Sequence, residues 1–386
     1  MIKNHKITKI VRLYMAKIFM IGDSHAYLYP INYQKWMNTF KQYFYDFYIP
    51  LLKKESKPGD ICIHLGDLFD NRNYIPIDVI VEVQKIIEEI SAILPLHLLI
   101  GNHDIFNKSS NDINAIRMYK HIPGVTIYEK TEVVEFNGLK LMLMPWVEHK
   151  NEQIALLRQH KDCDYVFCHS DLNGAKLHMK SVAHKNRDKI EIDEFVAFKR
   201  VYSAHIHIVQ VAKNFTFVGS IYQMDRGDLG NQKGVFILDT DLNEDVFVPN
   251  TISPVFEKLS ILTEIDVEKL VGINQNNYVD LSISNSLLIG NRKLRRKLEK
   301  ILETGGFSSV EYIDDINERQ SVETQVEKDL KETDFTIETN FEFEEMIKDY
   351  IIQQSYESDK TKEGITREYE SIIDIYNENY KFKKED

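Results

Sequence analysis

The 386-residue sequence is poor in cysteine and in long apolar runs. Its three cysteines, Cys62, Cys163 and Cys168, are too few for a disulfide framework, and no pair has zinc-knuckle spacing. No apolar run approaches the roughly 20 residues that a membrane helix needs, and the basic N-terminus lacks the continuous apolar segment of a signal peptide. These absences predict a soluble protein of a reducing compartment, the cytoplasm.

The sequence also lacks an excess of basic side chains. Lys and Arg number 48 against 60 Asp and Glu, a net charge of -12 that, taken alone, argues against a nucleic-acid partner. The acidity is local, however. Residues 311–386 carry 23 acidic and 10 basic side chains, whereas residues 1–310 carry 37 and 38. The net charge therefore does not exclude DNA as a partner of residues 1–310.

Apolar residues make up 43% of the chain and charged residues 28%, which is the balance of a globular protein. A single core rarely grows beyond about 250–300 residues, so the length predicts two or three domains. From residue 17 to about 248, short β-rich runs alternate with helical patterns, which predicts an α/β fold with a second, partly antiparallel sheet. The predicted strands are Lys17–Ile21, Ile61–Leu65, His97–Ile100, Leu139–Met144, Tyr165–Cys168, Val201–Ala204, Phe215–Val218 and Val235–Asp239, and the predicted helices are Tyr33–Lys54, Ile77–Ile93 and Glu152–Gln159.

Composition shifts predict the domain boundaries. Residues 1–15 precede the first strand and read as an N-terminal extension, followed by a main domain over 16–250. Two prolines, Pro249 and Pro254, mark its end. A small α/β domain over 255–315 is predicted from strands at Phe256–Glu264 and Tyr278–Ser284 and a basic helix near Arg292–Leu302. An acidic linker (316–339) and two amphipathic helices (340–386) complete the chain, and those helices either fold back on the body or bind a partner.

Five short clusters of metal-ligand side chains stand out, and most of them directly follow a predicted strand. The clusters are Gly22-Asp23-Ser24-His25, Gly66-Asp67-Leu68-Phe69-Asp70, Gly101-Asn102-His103-Asp104, His169-Ser170-Asp171 and His205-Ile206-His207. The carboxyl ends of strands in such sheets meet at one crevice, where ligands bind. A single cluster is commonly a turn or a helix cap, but five in this order favour one metal site.

The ligand types indicate the kind of ion. Asp, Asn and His supply oxygen and nitrogen donors, which suit hard or borderline divalent ions such as Mn²⁺, Fe²⁺ or Zn²⁺. An extended backbone directs the i, i+2 pairs Asp23/His25 and His205/His207 to one side. Asp67 has two carboxylate oxygens and is the best candidate to bridge two ions about 3.5–4 Å apart.

The ordered clusters resemble the motifs of the calcineurin-like metallophosphoesterase superfamily. Within it, Gly66-Asp67-Leu68-Phe69-Asp70 and the C-terminal appendages resemble SbcD-type nucleases of double-strand-break repair and recombination, with bacteriophage-encoded recombination endonuclease subunits nearest. Gly219-Ser220-Ile221-Tyr222 and Gln232-Lys233-Gly234 are similar to elements that follow the last metal motif in those proteins. The resemblance implies a β-sandwich flanked by helices, with a small DNA-capping domain and C-terminal helices.

The resemblance also implies roles for the cluster residues. Two divalent cations are expected, with Mn²⁺ foremost and Mg²⁺ or Fe²⁺ as alternatives. The first ion has the ligands Asp23, His25, Asp67 and His207, and the second has Asp67, Asn102, His169 and His205. His103 matches the catalytic histidine and Asp70 the acidic residue that orients it. One departure is Ala204, which stands where the family usually has Gly before His-x-His.

The implied function is hydrolysis of phosphodiester bonds at DNA ends during recombination, repair and replication, with exonuclease and endonuclease action both open. The implied partners are DNA, an SbcC-like ABC-type ATPase bound by the C-terminal helices, and a second copy of the chain, without a membrane. The basic segment Asn291–Lys300 is either a phosphate-tracking helix or a solvated helix face. Alternatives are a metallophosphatase acting on phosphoprotein or nucleotide, and a non-catalytic DNA-end scaffold.

Overall fold

The computed structural model describes residues 16–313, apart from 27–32, 108–109, 180, 182–185, 187, 264, 273–276, 290 and 305–308. The predicted N-terminal extension (1–15), acidic linker (316–339) and C-terminal helices (340–386) lie outside the described residues. None of the described helices is both long enough and apolar enough to span a membrane.

The described strands, in chain order, are β1 (Lys17–Ile21), β2 (Ile61–His64), β3 (Leu96–Leu99), β4 (Ile105–Asn107), β5 (Ser110–Asn114), β6 (Val125–Tyr128), β7 (Glu132–Phe136), β8 (Leu139–Met144), β9 (Tyr165–His169), β10 (Arg200–Ala204), β11 (Gln210–Ala212), β12 (Phe215–Phe217), β13 (Gly234–Asp239), β14 (Glu244–Pro249), β15 (Phe256–Ile261), β16 (Tyr278–Ser284) and β17 (Ser309–Ile313). The α-helices are α1 (Tyr33–Gln42), α2 (Ile49–Glu55), α3 (Ile77–Ile93), α4 (Lys150–Gln159), α5 (Asn285–Leu288) and α6 (Arg292–Thr304). A π-helical segment, Tyr43–Tyr48, joins α1 to α2, and short 3-10 helices span Ile116–Tyr119, Ile192–Phe195, Arg226–Asp228 and Ile265–Gly272.

Two six-stranded sheets form the body. The first has the order β14-β13-β1-β2-β3-β6 and the second β11-β12-β10-β9-β8-β7. Strands β1, β2, β3 and β6 are parallel to one another, as are β8, β9, β10 and β12, whereas β13, β14, β7 and β11 pair antiparallel. The predicted α/β fold class, with a partly antiparallel sheet, is confirmed.

Alternating side chains of the strands build separate apolar layers. Ile18 and Met20 of β1 point between the two sheets and pack with residues such as Tyr165 of the second sheet. Phe19 and Ile21 point the other way and pack beneath helices α1, α2 and α3. Residues of α4 and of the 190–198 segment cover the outer face of the second sheet. Because the inner strands bury both faces, the result is a sandwich flanked by helices.

Residues 256–313 form a smaller parallel sheet, β15-β16-β17, with its own apolar core. Leu294 and Leu298 of α6 are buried in that core. The sheet begins against the main body, where the Tyr278 ring stacks on Trp36 at 5.0 Å between centroids. The Lys35 ammonium also lies 4.0 Å from the Tyr278 ring centroid, a cation–π contact.

Candidate metal centre

The ends of five strands converge at one edge of the sandwich. Asp23 and His25 follow β1, Asp67 follows β2, and Asn102 and His103 follow β3. From the second sheet, His169 is the last residue of β9, and His205 and His207 follow β10. The parallel register of β1, β2 and β3 and of β9 and β10 places these ends side by side. All the predicted ligands are therefore brought together.

Four of these residues have left-handed backbone conformations, which are rare for residues other than glycine. The φ angles are 47° for Asp23, 43° for His25, 55° for Asp67 and 86° for His205. Backbone hydrogen bonds hold these turns: the amide N–H of Asp23 donates to the carbonyl of Gly66 at 3.0 Å, and that of His25 to Asp67 at 3.1 Å. Such strain, of order 1–3 kcal/mol per residue, clusters at functional sites.

One group of donor atoms comprises Asp23, His25 and His207, which lie within 4.8 Å of one another. The Nε2 atoms of His25 and His207 are 3.1 Å apart. The carboxylate of Asp23 is fixed by the amide N–H of His205, which lies 3.0 Å from both of its oxygens. An oxygen and two nitrogens pointing at one small volume suit a divalent cation.

A second group comprises Asp67, His169 and His205. The Nε2 of His169 lies 3.4 Å from Asp67 Oδ2 and 3.0 Å from Asn102 Oδ1. The same Asn102 oxygen lies 2.7 Å from Nδ1 of His205. Asp67 Oδ2 is also 3.7 Å from Nε2 of His25 in the first group. Asp67 therefore stands between both groups, and these donors fit a pair of ions with one bridging carboxylate.

His103 forms a third group of possible donors with His25 and Asp67, and 37% of its side chain is exposed. Its amide N–H donates to Asp67 Oδ1 at 2.7 Å, and its Nδ1 lies 2.7 Å from the carbonyl oxygen of Asp70. The Asp70 carboxylate is 3.9 Å from that Nδ1 but 3.1 Å from Nδ1 of His25. Asp70 therefore contacts His103 mainly through its backbone carbonyl, and its carboxylate lies closer to His25.

Charge pairing offsets the cost of burying these groups. Burial alone would raise the pKa of Asp67. The neighbouring His169 and His25 lower it by more than burial raises it, so the pKa of Asp67 lies well below its ordinary value. Burial lowers the pKa of His169, but Asp67 and Asp23 raise it to about 9. The buried carboxylates of the centre thus need positive charge next to them, which protons or metal cations supply.

A model of the calcineurin-like phosphoesterase family matches residues 16–209, half of the chain. The chain belongs to this family. The phosphoesterase is 29% identical over 192 residues to "Exonuclease subunit 1" of Enterobacteria phage T4, covering 49% of this chain and 55% of that protein. It spans 55–60% of the length of the two viral relatives it matches first. A solved archaeal phosphodiesterase structure is 16% identical, with a TM-score of 0.31, covering 61% of this chain and 99% of that one.

Asp104 of the phosphoesterase is a buried residue to which the sequence assigned no role. Its carboxylate accepts hydrogen bonds from the backbone N–H groups of Asp67 (2.9 Å), Phe69 (3.0 Å) and Gly101 (2.9 Å). Burial and the nearby Asp67 charge raise its pKa to about 7. Asp104 ties the loop after β3 to the loop after β2, and the Gly-Asn-His-Asp motif was the sequence signal for it.

His64 is a second unpredicted residue of the centre. The amide N–H of Gly66 donates to its Nδ1 at 3.2 Å, so in the neutral ring Nε2 carries the proton and donates to Ser24 Oγ at 2.7 Å. Burial lowers the pKa of His64 to about 3, so the ring is neutral. His64 joins the loop of Asp23 to the loop of Asp67. Its sequence signal is a histidine within an apolar strand.

Ala204 replaces the usual glycine without a conformational penalty, because its φ is not in the left-handed region. Space for its methyl group comes from Gly22, where an added Cβ would lie 2.6 Å from the Ala204 Cβ. Gly101 is a closer constraint, since a Cβ there would lie 2.1 Å from Asp67 Oδ1. The glycines in these loops leave room for the ligands and for the departure at position 204.

Proposed function

We propose that this chain is a metal-dependent DNA nuclease subunit that hydrolyses phosphodiester bonds at DNA ends in recombination, repair and replication. The observation that carries the proposal is the double donor group around Asp67, with the exposed His103 beside it. A phosphoesterase site of this kind suits a substrate whose phosphate lies between a metal pair and a histidine. The phage relative, named an exonuclease subunit, supports DNA as the substrate.

The residues divide the chemistry between them. Asp23, His25 and His207 would hold one cation and Asn102, His169 and His205 the other, with Asp67 shared; Mn²⁺ is foremost and Mg²⁺ or Fe²⁺ are alternatives. When bound, such ions neutralise phosphate charge and lower the pKa of a bound water. His103 then donates a hydrogen bond or a proton to the leaving oxygen. The carbonyl of Asp70, at 2.7 Å, keeps the His103 ring in one orientation.

The small domain offers a surface for DNA. Leu294 and Leu298 bury one side of α6, which leaves its six basic side chains exposed: Arg292, Lys293, Arg295, Arg296, Lys297 and Lys300. Glu299 is the one acidic residue among them before the last turn. A row of cations at helical spacing attracts successive backbone phosphates. This face supports the proposed role of residues 255–315 as a DNA-capping domain.

The proposed partners follow from the chain layout. The phage relative is named as a subunit, which favours an assembly with a second protein. We propose that this protein is an SbcC-like ABC-type ATPase bound by residues 340–386. A homodimer is proposed through α3, where Ile77 is 79% and Val81 46% exposed. The assembly acts in the cytoplasm, that of the host if phage-encoded, without a membrane partner.

One assay with three substrates tests the function. The purified chain with Mn²⁺, alone and with the ATPase, is given single-stranded DNA, double-stranded DNA and p-nitrophenyl phosphate, with Asp67→Asn as the inactive control. We expect cleavage of DNA that Asp67→Asn lacks. Cleavage of the monoester alone would instead show a phosphatase of phosphoprotein or nucleotide. Absence of all cleavage in the ATPase complex would show a DNA-end scaffold.

Deleting residues 340–386 tests the partner. We expect the shortened chain to lose co-purification with the ATPase while it retains metal-dependent cleavage of short single strands. Complex formation by the shortened chain would contradict the docking role and leave the nuclease proposal intact.

A further inference from the structure

Lys233 is a buried cation beside the metal centre. Its side chain is 3% exposed, and its ammonium group lies 2.6 Å from Asp228 Oδ1, which is 4% exposed. The same ammonium group donates to the backbone carbonyl oxygen of His207 at 2.6 Å. Burying a charge is costly unless it is paired and hydrogen-bonded. The Lys233 ammonium is paired with Asp228 and also hydrogen-bonded to the backbone of His207, a proposed metal ligand.

The carbonyl of His207 receives a second constraint from the Gly219-Ser220 element. The amide N–H of Ser220 donates to that oxygen at 3.0 Å. Gly219 has φ +72°, and a Cβ there would lie 2.7 Å from the oxygen. The two sequence elements after the last metal motif, Gly219-Ser220 and Lys233-Gly234, therefore meet at one atom, the oxygen of His207.

Neighbouring bonds hold the same turn. Asn231 Oδ1 accepts from the amide N–H of Val209, two residues after His207, at 3.1 Å. Asp228 also accepts from the amide N–H of Met224 at 2.8 Å, so its carboxylate is fixed on both sides. Lys233 is thus held by a carboxylate that is itself fixed, and it contacts the turn that carries His207. In this turn the Nε2 of His207 lies 3.1 Å from the Nε2 of His25.

We propose that Lys233, held by Asp228, is a positioning residue for His207 and so for one ion of the pair. The inference rests on the proposed two-ion site and goes beyond it, because it distinguishes the two ions. His207 belongs to the group of Asp23 and His25, whereas the group of Asp67, His169 and His205 does not include it. Loss of the Lys233 contact therefore weakens one ion and spares the other.

The test is Lys233→Met, which keeps the aliphatic stem and removes the donor. Isothermal titration of the full chain with Mn²⁺ measures both affinities, and electron paramagnetic resonance detects the spin-coupled pair. We expect two Mn²⁺ per wild-type chain and, in the variant, one affinity weakened about 10- to 100-fold. At a Mn²⁺ concentration that fills both wild-type sites but not the weakened one, the variant should lose the spin-coupled signal. Lys199→Met is the matched control, because Lys199 pairs with Asp164 at the surface.

Lys233→Met leaves Asp228 buried without its cation, which can prevent folding. The double variant Lys233→Met/Asp228→Asn removes both charges, and it decides the matter if the single variant does not fold. A folded variant that binds two Mn²⁺ with wild-type affinities overturns the proposal, as does equal weakening of both ions. Wild-type chain that binds two Mn²⁺ but cleaves no DNA overturns the nuclease proposal alone.

Discussion

The Nε2 atoms of His25 and His207 face each other at 3.1 Å, although 182 residues separate them in the sequence. In the neutral pair one facing nitrogen can donate to the other, and the same two nitrogens could instead both face one cation. Together with Asp23 they form a donor group that could hold one cation. Adding and removing a divalent cation therefore tests the role of this pair.

Removing metal should destabilise the protein. With chelator present, the buried donors lose a partner that binds only the folded state, so the unfolding midpoint falls. Mn²⁺ at 100 times its Kd should add about 2.7 kcal/mol per site to the free energy of unfolding. Urea unfolding across a Mn²⁺ series measures this, with Asp67→Asn as the unresponsive control. A wild-type midpoint that ignores Mn²⁺ contradicts the metal centre.

His103→Ala should separate catalysis from metal binding. His103 contacts Asp67 through its amide N–H and keeps its ring partly exposed, and removing a general acid typically costs 10²–10⁴-fold in turnover. We expect such a fall in kcat on DNA while two Mn²⁺ remain bound, measured by single-turnover cleavage and by titration. His121→Ala, at an exposed histidine, is the control. Undiminished cleavage by His103→Ala would remove His103 from the mechanism.

His64→Ala should loosen the junction of the first two loops. The substitution leaves the amide of Gly66 and the hydroxyl of Ser24 without their buried partner, at a cost of about 1–3 kcal/mol for each unsatisfied group. We expect a lower free energy of unfolding and weaker Mn²⁺ binding, whereas His149→Ala at an exposed position should change neither. Wild-type stability and Mn²⁺ affinity in His64→Ala would show that the contacts are incidental.

His97 gives a pH dependence outside the metal centre. Burial lowers its pKa to about 4 from an ordinary value of 6.5, and its Nδ1 lies 2.7 Å from the hydroxyl of Tyr128. The folded state thus binds the proton less readily than the unfolded state. The stability it confers is complete above pH 6.5 and is lost as the pH falls to about 4, by roughly 3 kcal/mol in all.

The measurement for His97 is the difference in unfolding free energy between wild type and His97→Gln from pH 7.5 to pH 4. Glutamine has no proton to gain and retains an acceptor for Tyr128. We expect the difference to shift against the wild type as the pH falls. A difference that is constant with pH would show that His97 does not titrate as its burial implies.

Apolar patterning predicted the eight inner strands of the sandwich and missed its four edge strands, β6, β7, β11 and β14. The bounds of β1 and β8 match the prediction at both ends, because most of their side chains are buried and the apolar run therefore coincides with the strand. Edge strands such as β14 bury little of either face, so their apolar pattern is weak, and β5 of the small β4-β5 hairpin is the polar run Ser110–Asn114. The strand predicted over Phe256–Glu264 ends at Ile261, because Asp266 accepts the amide N–H groups of Leu262 and Thr263.

The ligands themselves were predictable because Asp, Asn and His recur at strand ends in a fixed order. The residues that hold them were not, because their roles depend on backbone conformations that no pattern encodes. The left-handed turns at Asp23 and Asp67 decide where His64 and Asp104 make their contacts. For the same reason the sequence could not show that the Asp70 carboxylate faces His25.

The close approach of Gly22 and Ala204 has a consequence for how these chains vary. The ends of β1 and β10 leave room for one methyl group between them, and in this chain position 204 supplies it. With glycine at 204, the nearest neighbour of a Cβ at position 22 would be the Leu65 Cβ at 3.3 Å, a tight contact that a small shift relieves. The two positions, far apart in sequence, should therefore exchange their residues as a pair, and Gly22→Ala should be tolerated only together with Ala204→Gly.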